Sequence, residues 1–475
     1  MAGVRVCVED PVAGMSRCDE EAAAVAQESA PADRDRYFSV APISMSLAAS
    51  SAPSEAFAHL VGGGDGTGMP PDDALEALVF EEGTALLERA RRYAKEADHG
   101  WVDTIMAMAA RDPEFRTKLL LLTDLLPSLG NDSAAISDHI RQYLSDHTIM
   151  GTLAAFADTV PGLRQLSAWM FRQGVDLMAS RFLGGDDLAS AAPRLQAMSE
   201  REHPVYATIA VLGEEVQSTT EAEEHTRHYE ELIEALGAAH PGHQRTKGGK
   251  LVSEVSVKFS GLTDHFDAID PEGTFETVAA NFRRVLRRAV ANGVHITVDM
   301  EQFARAELSY YIFMRVLSEP EFQDLQDIEI VLQSNLRDSG RYAQTLIHWV
   351  NRPRGELNID GIPGRGSVPI HVRVVKGAYW DFETTTSTQQ GWPIPVYLDK
   401  RETDVRFESN LRRLLEGSPI RVSVGSHSPR SIAFALALKR QLGLTSGRVS
   451  FETLFGMEED VLYALAEEEE ARVYF

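Results

Sequence analysis

The stretch Val372-Arg373-Val374-Val375-Lys376-Gly377-Ala378-Tyr379-Trp380-Asp381 decides the fold of this chain. It starts with β-branched residues, which are typical of a buried parallel strand, and continues into a lysine, a glycine and two aromatic residues. The glycine allows the backbone to approach a ligand closely or to adopt a positive φ. In α/β barrels, chemistry takes place on the loops that follow the strands. The stretch therefore predicts an active-site edge, and the alternative for its first five residues is a core strand followed by an ordinary turn.

Seven further β-rich runs alternate with helix-length segments after Pro204. The predicted strands are 206–212, 252–259, 295–298, 328–333, 370–375, 421–424, 449–451 and 472–475. Eight strands with this alternation indicate an α/β protein with a (β/α)8 TIM-type barrel of roughly 250 residues. We place this barrel at 203–475. Because the printed sequence stops on the eighth strand, we expect a barrel truncated before its final helix.

The segment before the barrel has a different pattern. Apolar residues recur at helical spacing through 74–202, which predicts an all-helical domain, and Asp112 followed by Pro113 is a typical helix start. Residues 1–73 are rich in Ala, Ser, Gly and Pro, so we expect a disordered leader that cannot bury enough apolar surface to fold. The glycine cluster at 62–66 lacks the flanking strand and helix of a dinucleotide-binding fingerprint.

Composition excludes several classes of function. The chain has 475 residues with 71 acidic and 46 basic side chains, which argues against nucleic-acid binding. The two cysteines, Cys7 and Cys18, support neither a disulfide framework nor a thiolate metal site, and no metal-binding or serine-hydrolase motif is present. No apolar run approaches the ~18 residues that span a bilayer. We expect a cytoplasmic protein, with a peripheral contact at the inner face of the membrane left open.

The motif at 373–381 resembles the fifth-strand motif of the proline dehydrogenases. The other matching residues are Val255-Ser256-Val257-Lys258, Asp299-Met300-Glu301, Gln333, Gly425-Ser426-His427-Ser428, and Phe451 with Leu454 and Gly456-Met457. The helical region, with Asp112-Pro113-Glu114-Phe115, resembles the leader of the bifunctional proline utilization A flavoproteins. The resemblance runs from about residue 75 to the end of the sequence.

This resemblance implies a function. It implies oxidation of L-proline to Δ1-pyrroline-5-carboxylate in proline catabolism, with hydride passing to FAD and electrons leaving to a membrane quinone, either ubiquinone or menaquinone. It also implies a C-terminal aldehyde dehydrogenase domain in a longer protein. A homo-oligomer stays open.

The resemblance also implies three sets of site residues. The catalytic residues are Lys258, Asp299, Arg373 and Tyr379. The cofactor-binding residues are Gln333, Arg373, Val375, Lys376, Gly377, Ala378, Trp380, His427, Ser428 and Glu452. The substrate-binding residues are Lys258, Asp299, Tyr379, Leu454 and Tyr474.

Each assignment has a structural alternative. A buried ammonium at Lys258 needs an anion, which is either the substrate carboxylate or an ion-pair partner inside the barrel. Arg373 would stabilise negative charge on a reduced flavin, or would form a salt bridge inside the barrel. Asp299 would orient such a cation or contact the substrate. The two aromatics Tyr379 and Trp380 would otherwise pack in the core.

Two departures from the family leave other functions open. Glu452 stands where many members have glutamine, and its charge near a flavin would weaken cofactor affinity. The family's final helix carries a substrate-clamping arginine pair, which the expected truncation removes. The alternatives are therefore a non-catalytic barrel that acts as a binding or regulatory module, and a different flavin-dependent barrel reductase.

Overall fold

The computed structural model describes residues 73–94, 111–130, 132–144, 169, 172, 185, 187–211, 216–358 and 360–474. The predicted leader, apart from Asp73, lies outside the described residues, and so do Cys7 and Cys18. None of the helices in the described part of the chain is long and apolar enough to cross a bilayer.

Eight parallel strands close into a barrel, which confirms the predicted fold class. The strands are β1 Val205–Ala210, β2 Glu254–Val257, β3 His295–Val298, β4 Ile328–Gln333, β5 His371–Val375, β6 Arg421–Gly425, β7 Val449–Leu454 and β8 Ala471–Tyr474. Each strand pairs with the next one, and β8 pairs with β1 through Val205 opposite Ala471. Both faces of a parallel sheet are covered in this architecture, and β2, β3 and β4 are buried along their whole length.

Helices surround the barrel and precede it. The helices are α1 Asp73–Ala94, α2 Pro113–Leu129, α3 Ser133–Leu144, α4 Leu188–Ser199, α5 Thr219–Ala239, α6 Pro271–Asn292, α7 Phe303–Leu317, α8 Ser339–Asn351, α9 Trp380–Gln390, α10 Lys400–Gly417, α11 Pro429–Gln441 and α12 Glu459–Ala466. Two short 3-10 turns cover Phe259–Leu262 and Ser446–Arg448.

Local sequence signals explain where several helices begin and end. Asp112 caps α2, and its carboxylate accepts hydrogen bonds from the backbone N–H groups of Glu114 and Phe115 at 3.0 Å each. Asp270 caps α6 through the N–H of Gly273, and Gly293 ends that helix in the left-handed conformation with φ 65°. The predicted start at Asp112 is confirmed.

The two faces of the strands differ in polarity. Side chains that point outward, such as Val255, Val257, Ile296 and Val374, are buried against the helices. Inward-pointing positions carry polar and charged residues instead, and Arg373 of β5 reaches Glu254 of β2 across the interior. Barrel interiors are more often filled by branched apolar residues. This barrel therefore holds an unusual number of charges in its core.

The helical region contacts the barrel. Helix α1 packs against α11 and α12 through a face that includes the fully buried Val79 and Leu86. Arg430 of α11 forms hydrogen bonds of 2.6 and 2.8 Å with the carboxylate of Glu76 on α1. The division into a helical domain at 74–202 and a barrel at 203–475 stays a prediction.

The glycine and proline content of segment 352–367 predicts an exposed loop before β5. This prediction is wrong for part of the segment. Ile362 and Arg365 are each only 1% exposed. The Arg365 guanidinium lies over the Trp349 ring at 5.3 Å and donates a 2.8 Å hydrogen bond to the carbonyl of Leu317. The loop is thus anchored by a buried cation, which local composition does not reveal.

Candidate active site

The carboxyl ends of the strands bring the predicted site residues to one rim of the barrel. Going round this rim, they are Lys258 after β2, Asp299 after β3, Gln333 at the end of β4, Lys376 to Trp380 after β5, His427 and Ser428 after β6, Leu454 at the end of β7, and Tyr474 at the end of β8. Arg373 and Glu452 lie within β5 and β7 and point into the interior just below. This is the face on which barrel enzymes carry their chemistry.

Arg373 lies at the centre of four carboxylates. Its guanidinium nitrogens are 3.0 Å from Glu452, 3.1 Å from Glu329, 3.3 Å from Asp299 and 3.4 Å from Glu254. Burial alone would lower the pKa of Arg373, but Glu452 and the other acids raise it above its usual value. The salt-bridge alternative for Arg373 is therefore realised in this structure.

Asp299 has two partners. It contacts Arg373, and it accepts a 2.5 Å hydrogen bond from the Tyr474 hydroxyl. Burial and the adjacent carboxylate raise the pKa of Tyr474 well above its usual value, so this phenol stays a donor. Asp299 thus links the end of β8 to Arg373 of β5. These contacts are compatible with the first of its two predicted roles, which is to orient a cation.

A second layer of charges lies below Arg373. The Lys250 ammonium is 2.9 Å from Glu254 and 3.0 Å from Glu329, and Arg472 is 3.1 Å from Glu254. Burial disfavours the ionised form of Glu254, but Lys250 and Arg472 overcome this and hold its pKa well below the usual range. Sequence reasoning missed this layer, since none of these residues belongs to a recognisable motif.

One group in this layer has metal-ligand spacing. Ligand atoms of Glu254, His295 and Glu329 lie within 4.8 Å of one another. The Lys250 ammonium already bridges the two carboxylates, and a divalent ion would have to displace that buried cation. Burial first, and Lys250 next, hold the pKa of His295 well below its usual value, so the imidazole is neutral. We read the group as an ion-paired core around Lys250.

Gly377 allows the loop after β5 to approach its neighbour. Its φ is 129°, and a Cβ at this position would lie 2.2 Å from the Oδ1 atom of Asn335. The backbone N–H of Asn335 donates a 2.7 Å hydrogen bond to the carbonyl of Lys376. The predicted need for a glycine is thus explained by φ and by close packing. Asn335 Oδ1 is buried and has no hydrogen-bond partner among the described residues.

Gln333 supports this loop from below. Its amide oxygen accepts a 3.2 Å hydrogen bond from the N–H of Ala378, and its amide nitrogen donates at 2.7 Å to the carbonyl of Glu301. The carbonyl of Val375 accepts a 2.8 Å hydrogen bond from Ser334. These groups hold the β4 and β5 loops together, and their contacts with a flavin stay predictions.

The rim also offers a cation and a hydrogen-bond donor for phosphates. Burial lowers the pKa of Lys376, which pairs with Asp404 at 2.6 Å. Burial, followed by Lys376, lowers the pKa of His427 to about 4, so its imidazole is neutral at physiological pH. Nε2 of His427 accepts a 2.9 Å hydrogen bond from the N–H of Leu454, which leaves the proton on Nδ1. Ser428 precedes α11, and a helix N-terminus favours anions.

The two aromatics after β5 take different positions. Trp380 starts α9, packs against the core, and donates its indole N–H to the Tyr397 carbonyl at 2.9 Å. Core packing, which is the structural alternative to a ligand contact, therefore explains at least part of the contacts of the Trp380 side chain. Tyr379 precedes α9 and is half-buried. Leu454, at the end of β7 two strands away from β5, is 47% exposed.

The rim fits a flavin dinucleotide in chemical type. It combines a glycine that permits close backbone approach, a donor at His427 and a cation at Lys376. It also has a buried acceptor at Asn335 without a partner among the described residues. A cavity of about 790 Å³ lies at the other end of the barrel, where Arg245 pairs with Asp327. Active sites of barrels of this type lie at the opposite, C-terminal face, so we place the candidate site at the carboxyl rim.

Comparisons with known proteins match two segments of the chain to known families. The sequence model of the proline dehydrogenase family matches residues 194–475, and that of the proline utilization A N-terminal domain matches residues 76–182. The bifunctional protein PutA of Klebsiella aerogenes is 26% identical over 296 residues, which is 61% of this chain and 21% of that protein. Proline dehydrogenase 2 of Bacillus subtilis strain 168 is 25% identical over 296 residues, which is 62% of this chain and 80% of that protein.

A solved structure is similar over most of the chain. The crystal structure of proline utilization A from Bdellovibrio bacteriovorus, inactivated by N-propargylglycine, superposes with a TM-score of 0.71 at 25% identity. The match covers 84% of this chain and 39% of that protein. The chain therefore spans well under half the length of the bifunctional relatives it matches.

Proposed function

Since the chain belongs to the proline dehydrogenase family, we propose that it oxidises L-proline to Δ1-pyrroline-5-carboxylate with bound FAD. The family, in general terms, implies a flavin-dependent reaction, and FAD is the specific form we propose. The observation that carries the proposal is the convergence of Lys258, Asp299, Arg373 and the Gly377 loop at the carboxyl rim of one barrel.

The residues of this rim divide the work between substrate and cofactor. Lys258, which follows β2 at the rim and is half-buried, would bind the proline carboxylate through its positive charge. Tyr379 and Leu454 would form the apolar walls around the ring. Asp299, held by Tyr474 and Arg373, would keep the substrate cation oriented. The bound flavin would supply the hydride acceptor.

Arg373 and the β5 loop would serve the cofactor. The guanidinium would stabilise negative charge that develops on the reduced ring. Lys376 and the Nδ1–H of His427 would hold the phosphates, and Ser428 would add the N-terminus of α11. Gln333 would hold Ala378, and with it the loop after β5, in position next to the cofactor through its hydrogen bond to the Ala378 N–H. Trp380 would flank the flavin or adenine from its anchored position.

Further steps of this function are proposals by analogy with the family. Electrons would leave the flavin for a membrane quinone, which needs at least transient contact with a membrane from the cytoplasmic side. The relatives named PutA are bifunctional, and an aldehyde dehydrogenase domain that consumes the product would belong to a longer protein.

The first test is the visible absorbance of the purified chain before and after anaerobic L-proline. A flavin spectrum that bleaches supports the dehydrogenase. A flavin spectrum that persists with proline but bleaches with dithionite would instead support a cofactor-binding barrel without proline activity, or a reductase for another substrate. Protein that stays colourless after reconstitution with FAD would overturn the proposal.

A further inference from the structure

Glu452 is a buried carboxyl that has no hydrogen-bond donor within the described part of the chain. It lies on β7 between Gly425 of β6 and Arg472 of β8, and it is 4% exposed. Neither carboxylate oxygen has a hydrogen-bond partner among the described residues, and the close cation is Arg373 at 3.0 Å. An ionised carboxylate without donors is costly in a dry interior. The environment therefore favours the protonated form of Glu452.

The neighbouring acids are better satisfied than Glu452. Glu254 accepts a 2.7 Å hydrogen bond from Thr297 and contacts Lys250. Glu329 accepts hydrogen bonds from Ser423 at 2.6 Å and from Lys250 at 3.0 Å. These donors stabilise the charged forms. Among the acids that contact Arg373, Glu452 is thus the one most easily protonated.

Charged and titratable groups surround Glu452 on every side of the interior. They are Arg373 on β5, Glu254 on β2, Lys250 before β2, Asp299 after β3, Glu329 on β4, and Arg472 and Tyr474 on β8, with Glu470 behind Arg472. The described interior holds five carboxylates and three cations. Burial, with Glu254 and Glu329 opposing Arg373, raises the pKa of Glu452 to about 7.

We propose that Glu452 takes up a proton when a flavin beside Arg373 is reduced, and that it thereby makes the reduction potential of the flavin pH-dependent near neutrality. This inference rests on the proposed function, because it needs the flavin at Arg373. Two electrons and one proton reduce the flavin and leave a negative charge on its ring. That charge competes with the Glu452 carboxylate for the guanidinium of Arg373. Glu452 then binds a second proton, which comes from solvent, so its O–H bond forms in addition to the N–H bond of the reduced ring.

Glu452 acts here as a positioning residue that works through Arg373. When it is ionised, it partly neutralises the guanidinium and disfavours electron addition. When it is protonated, the full charge of Arg373 is available to the reduced ring. An isosteric amide at this position should therefore behave like the protonated acid at every pH.

The test measures the midpoint potential of bound FAD from about pH 5.5 to about pH 8.5. The proteins compared are the wild type, Glu452→Gln and the control Glu469→Gln. Glu469 is a suitable control because it also pairs with a cation, Lys439, and its pKa is also raised by burial, but it lies outside the barrel. We expect wild type and Glu452→Gln to have the same midpoint potential at acidic pH. Above neutrality the Glu452→Gln potential should be the higher one.

The expected size of the effect follows from the proton count. One additional proton changes the reduction equilibrium tenfold per pH unit, which for a two-electron couple is about 30 mV per pH unit. Wild type and Glu469→Gln should show this extra slope near neutrality, and Glu452→Gln should lack it. Parallel slopes for all three proteins would overturn the inference while leaving the proposed function intact. Failure to bind flavin would overturn both.

A second measurement needs no flavin. A folded-state pKa of about 7 against 4.5 for an ordinary glutamate means that the folded protein binds more protons between these values. Wild-type stability should then fall, relative to Glu452→Gln, as the pH rises from about 4.5 to about 7. We expect equal melting temperatures of the two apoproteins in acid and a higher one for Glu452→Gln above neutrality. A difference that does not change with pH would contradict a proton on Glu452.

Discussion

Replacing Gly377 with alanine should destabilise the loop after β5 more than the same change at an open glycine. Gly377 has φ 129°, and the added Cβ would lie 2.2 Å from Oδ1, 2.3 Å from Cγ and 2.4 Å from Nδ2 of Asn335. The backbone strain costs on the order of 1–3 kcal/mol. Overpacking adds roughly 1–3 kcal/mol. We therefore expect Gly377→Ala to lower the free energy of unfolding by about 2–6 kcal/mol.

A matched control separates the two terms. Gly391 also has a positive φ, 67°, but nothing lies within 4 Å of its added Cβ. Gly391→Ala should therefore cost only the left-handed backbone penalty of roughly 1–2 kcal/mol. Adding Asn335→Ala to Gly377→Ala removes the clashing side chain. The double variant should recover the overpacking part of the lost stability, because the clashing side chain is gone. The Oδ1 atom that is removed has no hydrogen-bond partner among the described residues, so its loss should cost little.

The assay is urea denaturation followed by circular dichroism, together with FAD titration of each variant. Gly377→Ala should also weaken FAD binding, because the loop must move away from Asn335. Equal destabilisation by Gly377→Ala and Gly391→Ala would refute the close approach of the two loops. No recovery in the double variant would refute Asn335 as the obstacle.

Three further predictions concern charged groups. Lys258→Ala should raise the KM for L-proline roughly 10- to 150-fold, because a hydrogen bond to a charged group contributes about 1.5–3 kcal/mol, and flavin content should not change; an unchanged KM would remove Lys258 from the substrate site. Lys250→Met should lower the free energy of unfolding by about 3–5 kcal/mol, because it removes the buried cation that bridges the carboxylates of Glu254 and Glu329. Arg245→Met, which breaks a more exposed pair, should cost about 1 kcal/mol or less in the same urea titration. Tyr474→Phe removes the donor to Asp299 and should change the KM for proline without loss of flavin; identical kinetics would show that this hydrogen bond serves only the fold.

The sequence predicted the strands well because their signal is local. β-branched runs bounded by turns placed β3 and β4 with the same boundaries as the structure, and β5 within one residue. The strand β7 was predicted three residues too short, because Glu452 and Thr453 do not continue the apolar pattern. Glu452 instead points into a charged interior that periodicity does not anticipate.

The candidate site was predictable where a motif carries it and not where tertiary contacts do. The Lys-Gly-Ala-Tyr-Trp motif indicated the rim, and Gly377 has the positive φ that its position required. The hydrogen bonds of Gln333 to its neighbours in the β3 and β5 loops were not foreseen. They depend on the register of adjacent strands, which sets how their ends align along the barrel axis and which a single sequence does not specify.

What the sequence alone determined is the set of strands and their order, because each strand follows from short-range periodicity. The sequence also predicted the edge at which the candidate site residues lie, through the glycine after β5. What only the tertiary structure decided is which inward side chains meet. Closure of the barrel brings Glu254, Asp299, Glu329 and Glu452 to one arginine, although up to 198 positions separate them in the chain. Their separation in sequence bears no relation to their distance across the barrel, since the strand register sets that distance.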